Sequence, residues 1–169
     1  MNTALRHNTR AKILTAGSIV LLTIAAGVAS ASEPSLPAEL LYFRGKWTIT
    51  VKEDPSAAYT WTVSEDLKGE WLVGVVDKGG ERVSTDLWRV NAGVIERYVF
   101  TNDGVFMKVV SSGWKSGKLV LSGIGNGKAI DFRVRETITR ISDNKFRAVW
   151  ERQSDDGKWT VFSDETCVK

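Results

Sequence analysis

The stretch that decides the fold runs from Ile130 to Gln153, IDFRVRETITRISDNKFRAVWERQ. Phe132, Val134 and Ile138 alternate with Arg133, Arg135 and Thr137, and past Asp143-Asn144 a second run alternates Phe146, Ala148 and Trp150 with Arg147, Val149 and Glu151. A period of two on both sides of a turn predicts an antiparallel hairpin. Its register can be derived from charge. A two-residue loop at Asp143-Asn144 sets Glu136 opposite Glu151 and Arg140 opposite Arg147, and like charges directly across a ladder destabilise it. A three-residue loop, Ser142 to Asn144 with Asn144 left-handed, shifts the pairing by one residue and removes both clashes. Glu136 then faces Trp150, with Arg152 diagonal to it. A carboxylate and a guanidinium are thereby expected to point into an apolar space.

The rest of the chain repeats this grammar. Turn signals recur at Lys68-Gly69, Gly79-Gly80, Ala92-Gly93, Asp103-Gly104, Ser116-Gly117, Asn126-Gly127 and Asp156-Gly157, separating short runs rich in β-branched and aromatic residues. Strands are expected near 45–53, 58–66, 70–77, 82–90, 94–101, 105–112, 118–123, 128–141, 145–154 and 158–166. About ten strands joined by hairpins can close by pairing the last with the first, which leaves no open edge. The expected class is therefore all-β, an antiparallel up-and-down barrel of about ten strands over residues 45–169. Within the preceding segment, 32–44, Leu36, Leu40, Leu41 and Phe43 have helical spacing and predict a short turn that plugs one end. The glycines of Gly123-Ile124-Gly125-Asn126-Gly127 read as hairpin glycines, since no helix follows to make a phosphate cradle.

Residues 1–31 have the order of a secretory leader. Arg6, Arg10 and Lys12 come first, Ile13 to Val28 are largely apolar, and Ala29-Ser30-Ala31 is a small-residue cleavage site. The apolar run is short for a membrane span, no Cys stands at the cleavage site to take a lipid, and no Arg-Arg pair marks a twin-arginine route. An exported protein, periplasmic or extracellular and without a membrane anchor after cleavage, is expected. Of 23 Lys+Arg and 20 Asp+Glu in the 169 residues, the leader holds three bases and no acid, so the remainder is neutral. Neutrality argues against a nucleic-acid partner.

The single histidine, His7, also belongs to the leader. Without it the remainder offers no His-centred triad, imidazole zinc site or His-ligated haem. Cys167, the only cysteine, has no intrachain partner and no His to activate it; it reads as a packed thiol or as half of an intermolecular disulfide. No catalytic residue, metal or cofactor is assigned. Seven tryptophans, Trp47, Trp61, Trp71, Trp88, Trp114, Trp150 and Trp159, suit either core filling or a cavity lined for stacking.

At Gly45-Lys46-Trp47 the chain resembles the lipocalins, in which Gly-x-Trp opens the first strand. The resemblance implies that Trp47 packs across the barrel floor and that a basic residue near the chain's end lies over it; Arg152 is the candidate. Phe43-x-Gly45-x-Trp47, Asp86-Leu87-Trp88, Ser112-Gly113-Trp114, Arg135-Glu136-Thr137, Trp150-Glu151, Asp156-Gly157-Lys158-Trp159 and Glu165-x-Cys167 are similar to an uncharacterised bacterial family of secreted, lipocalin-like barrel proteins. Arg89 and Asn91 stand where that family more often has glycine and aspartate. The family supplies no reaction.

Two functional readings follow. In the first, the barrel binds a small apolar or aromatic ligand, with Trp47, Trp61 and Trp150 lining the cavity and Glu136 and Arg152 fixing its orientation. In the second, the barrel is filled and serves as a structural or protein-interaction module, with Trp88 and Trp114 as surface anchors.

Overall fold

A computed structural model of the protein describes residues 36–127 and 130–169; the expected leader at 1–31 lies outside them. The described residues form a meander: β1 (Gly45–Val51), β2 (Asp54–Asp66), β3 (Trp71–Lys78), β4 (Glu81–Asn91), β5 (Val94–Thr101), β6 (Phe106–Ser111), β7 (Trp114–Lys115), β8 (Lys118–Gly127), β9 (Ile130–Ser142), β10 (Lys145–Gln153) and β11 (Trp159–Val168). All pairings are antiparallel, β11 pairs with β1, and β6 pairs with β8 across the two-residue spur β7. The ten long strands therefore close into an up-and-down barrel, as the turn spacing indicates.

The inner face follows the period of two. Trp47 and Ile49, Trp61 and Val63, Leu119 and Leu121, Val134 and Ile138, and Phe146 and Ala148 all point inward and are buried. Outside, cross-strand ion pairs mark the register. Arg135 lies opposite Glu151 and binds it through Nε and Nη2 at 2.7 and 2.9 Å, and Arg89 lies opposite Glu96 at 2.6 Å.

One end is plugged. Pro37 precedes helix α1 (Ala38–Leu41), where its missing N–H costs nothing because a helix's first amides have no intrahelical partner. The short helix turns Leu40 and Phe43 fully inside. Phe43 stacks on Trp88 at 5.0 Å and meets Phe146 edge-on at 5.6 Å, and its carbonyl accepts the Trp47 indole N–H at 2.6 Å. Trp114, half-buried, stacks on Phe43 at 6.0 Å from the side of the plug.

Three local expectations are corrected. Glu136 does face Trp150, but by a different device: Ser142 pairs with Lys145 around a two-residue turn, and the register shifts at the next pair, Arg140 with Phe146. A bulge that leaves Ile141 over does the work assigned to a three-residue loop, and Asn144 is absent from the described non-glycine residues with positive φ. Second, Gly123 and Gly125 are not hairpin glycines. They lie inside β8, which runs to Gly127 rather than ending at 123, on the seam with β6. A Cβ on Gly123 would collide with the Lys108 carbonyl of β6, so the seam closes only because that side chain is missing, while one on Gly125 would run into the Phe132 ring of β9. Third, Trp88 is no surface anchor: it is fully buried beside the plug.

Gly123→Ala is expected to destabilise the barrel by about 1–3 kcal/mol, the usual cost of forcing atoms into a packed site, measured by urea unfolding. An unchanged unfolding midpoint would refute the reading of the seam.

Candidate functional site

The site begins with three inward-facing positions that the alternation would assign to the core. Asp86 shares its phase on β4 with Trp88, Arg97 falls between Ile95 and Val99 on β5, and Glu136 falls between Val134 and Ile138 on β9. All three are buried, with 1%, 8% and 2% of their surface exposed. Arg97 Nη1 donates to both oxygens of Glu136 at 2.6 and 2.5 Å, and Nη2 donates to Asp86 Oδ2 at 3.3 Å. Asp86 also accepts the indole N–H groups of Trp61, at 2.9 Å, and Trp88, at 2.5 Å. The guanidinium carbon sits 4.4, 5.2 and 5.7 Å from the rings of Trp88, Trp150 and Trp61, so the cation is enclosed by aromatic faces.

Glycine makes this centre possible as well. Gly74 of β3 pairs with Val63 on one side and Asp86 on the other, and a Cβ there would run into both Trp61 Nε1 and the Asp86 carboxylate. Its missing side chain provides the space in which the indole–carboxylate bond forms.

Burial governs the protonation of the centre. It pushes the Glu136 carboxyl up to about 7, against the opposing pull of the Arg97 guanidinium. Burial alone would lower the Arg97 pKa, but the Glu136 and Asp86 carboxylates more than reverse this and hold it above the ordinary arginine value. The Cys167 thiol, 1% exposed, is pushed up by burial, so it is neither a thiolate nor placed for an intermolecular disulfide.

Beside the centre, and at the end of the barrel away from α1, is a cavity of about 410 Å³. Trp61, Trp150, Glu136 and Arg97 form part of its wall, and Phe146 and Cys167 lie on the side toward the plug. Thr101, Asn102 and Asp103, at the β5–β6 turn, stand at its mouth. Among the described residues no cluster of three or more His, Cys, Asp or Glu side chains could hold a metal ion.

Of the five residues singled out from sequence, Trp61, Glu136 and Trp150 line the cavity. Trp47 does not; it is fully buried in the plug, against Phe146 at 4.8 Å. Arg152 does not either. It pairs with Val134 near the open rim, is exposed, and lays its guanidinium on the Phe132 ring at 4.7 Å. The partner of Glu136 is Arg97, from the other side of the seam. The basic residue over Trp47 is Lys169, whose Nζ lies 4.4 Å from the indole and donates to the Tyr42 carbonyl at 3.0 Å. Arg97 had a signal, a charged residue in phase with Ile95 and Val99. A hairpin-by-hairpin reading could not pair it with Glu136, because their proximity is created only by closure.

Two predictions test the centre. Arg97→Met strands two buried carboxylates and should cost about 3–5 kcal/mol in urea unfolding. Glu136→Gln keeps the side chain's shape and leaves one guanidinium against Asp86 alone, so it should cost far less than Arg97→Met; equal losses in the two variants would contradict the charge balance described. The second concerns pH. A Glu136 pKa raised from 4.5 to about 7 means that the folded state holds the proton more tightly, so its stabilisation is complete below about pH 4.5 and is lost as pH rises through 7. Wild type should lose stability relative to Glu136→Gln across that window. A difference that stays flat with pH would show that Glu136 is not the titrating group.

No family model and no curated protein matches the chain. Among solved structures it is similar to Rv2717c from M. tuberculosis, with a TM-score of 0.56 and 10% identity over 80% of this chain and 99% of that one. A protein with unknown function from the DUF3598 family of Nostoc punctiforme superposes with a TM-score of 0.39 and 14% identity, over 85% of this chain and 53% of that one. The first likeness is one of fold alone, and the second adds nothing to it.

Proposed function

We propose that the protein is an exported barrel that binds a small, largely apolar or aromatic molecule in its interior. The observation that carries this reading is the cavity, whose volume of about 410 Å³ falls within the roughly 300–1,000 Å³ of small-molecule sites. Its lining supports the same reading. Ile49, Val51, Tyr59, Val76 and Val99 supply apolar surface, Trp61 and Trp150 supply ring faces, and a few polar groups converge among them. A filled barrel acting only as a scaffold would not leave this space. The aromatic walls favour flat ligands through stacking.

Export is supported by the order of residues 1–31, basic, then apolar, then Ala29-Ser30-Ala31. The likeness to secreted, lipocalin-like barrel proteins agrees with it. Mass spectrometry of the exported form should find Ser32 at its N-terminus; recovery of an uncleaved chain would overturn the leader.

Binding is testable through the indoles in the wall. Titration with a neutral aromatic such as 1-naphthylmethanol should give a saturable change in tryptophan fluorescence. Ala148 is 2% exposed and lines the cavity, so Ala148→Phe puts a ring into the space and should weaken the titration tenfold or more. Equal binding by a folded Ala148→Phe variant would place the ligand elsewhere, and no saturable change in wild type would refute the proposal.

A further inference from the structure

Resting on the reading of the barrel as a ligand site, we infer that its ligand is an apolar cation, an aromatic or aliphatic body carrying one protonated amine, and that Glu165 receives the amine. The argument starts from a count of charge. Asp86 and Glu136 both bind Arg97, so a single guanidinium already serves two carboxylates. Glu165 lines the same cavity and adds a third, and Asp103 stands at the mouth.

Glu165 has no ion-pair partner among the described residues. On β11 it points inward between Ser163 and Cys167, and its one hydrogen bond comes from the Ser163 hydroxyl at 2.8 Å. Its neighbour Asp164, on the outer face, is paired with Arg147 at 2.7 Å and lies 3.9 Å from Lys52. Adjacent acids on one strand thus have opposite provision: the outer one has two bases and the inner one has none. Burial raises the pKa of Glu165, outweighing the opposing pull of the Arg97 charge and the Ser163 hydrogen bond. A bound ammonium would supply that charge.

The same inventory disfavours an apolar acid. Such a ligand needs a free base in the wall, and among the described residues the wall's one base is Arg97. Its terminal nitrogens already bind Glu136 and Asp86, and its Nε is buried without a partner. At the rim, Lys78 is held by the Tyr59 hydroxyl at 3.2 Å and by Asp54 at 3.7 Å. A cation, by contrast, meets a carboxylate that has no ion-pair partner among the described residues.

Three probes that share one ring system separate the possibilities: 1-naphthylmethylamine, 1-naphthylmethanol and 1-naphthoic acid, titrated by calorimetry at neutral pH. The amine should bind about tenfold tighter than the alcohol or better, as for a charge-assisted contact in a dry site, and the acid should bind weakest. Glu165→Gln should abolish the amine's advantage and leave the alcohol within about twofold. Carbodiimide coupling of the bound amine in the wild-type chain, read by peptide mass spectrometry, should place the adduct on Glu165, a result that does not depend on how any variant folds. An amine no tighter than the alcohol, an advantage that survives Glu165→Gln, or an adduct on Glu136 would overturn the inference while leaving apolar binding intact. Failure of all three probes to bind would overturn both.

Discussion

The structure depends on one guanidinium held inside an apolar barrel. Arg97 comes from β5, Asp86 from the adjacent β4, and Glu136 from β9, beyond the seam where β6 meets β8. The two ion pairs therefore connect strands on both sides of the closure. Burying these charges is costly, and paired hydrophobic residues of similar volume often stabilise a core as well or better. What the charges add is geometric definition. The fork of Arg97 meets both carboxylates only when the seam is in register, and Asp86 accepts Trp61 and Trp88 only when those indoles are turned toward it. One contact thus couples the closure to the orientation of the aromatic wall.

Nearly all of the fold was legible in the sequence, for reasons visible in particular residues. Alternation such as Trp47-Ile49 against Thr48-Thr50 is a local property, and so are the turn dipeptides that separate the strands. The register at Glu136 and Trp150 was derivable because a repulsion between like charges has a sign that does not depend on tertiary detail. What could not be read was whatever depends on the barrel's circumference. Gly123 looks the same whether it ends a strand or admits a neighbouring backbone, and only the approach of β6 distinguishes the two. Arg152 is the base that lies diagonal to Glu136 on the same face of the hairpin, so the local pattern points to it. Arg97, 39 positions before Glu136, becomes its neighbour only after the sheet has closed. Glu165 and Asp164 differ in role solely by the face they occupy, a difference the alternation contains but does not rank.

The plugged end and the open end divide the labour of the interior. Phe43, Trp47, Trp88 and Phe146 fill the barrel beneath α1 with interlocking rings and leave little space there. Toward the opposite end the side chains are shorter and more polar, with Ser84, Thr101 and Ser163 reaching the cavity. Stability is concentrated in the first region, so the second can remain unfilled. The buried ion pairs lie between them, bonded to indoles on one side and facing the cavity on the other.

The plug has a consequence for traffic. With one end sealed by packed rings, the cavity formed by the described residues opens toward the opposite end alone, which makes the barrel a vessel and not a conduit. On the proposed ligand reading, a guest would enter and leave at the end of the barrel away from α1, beside the β5–β6 turn.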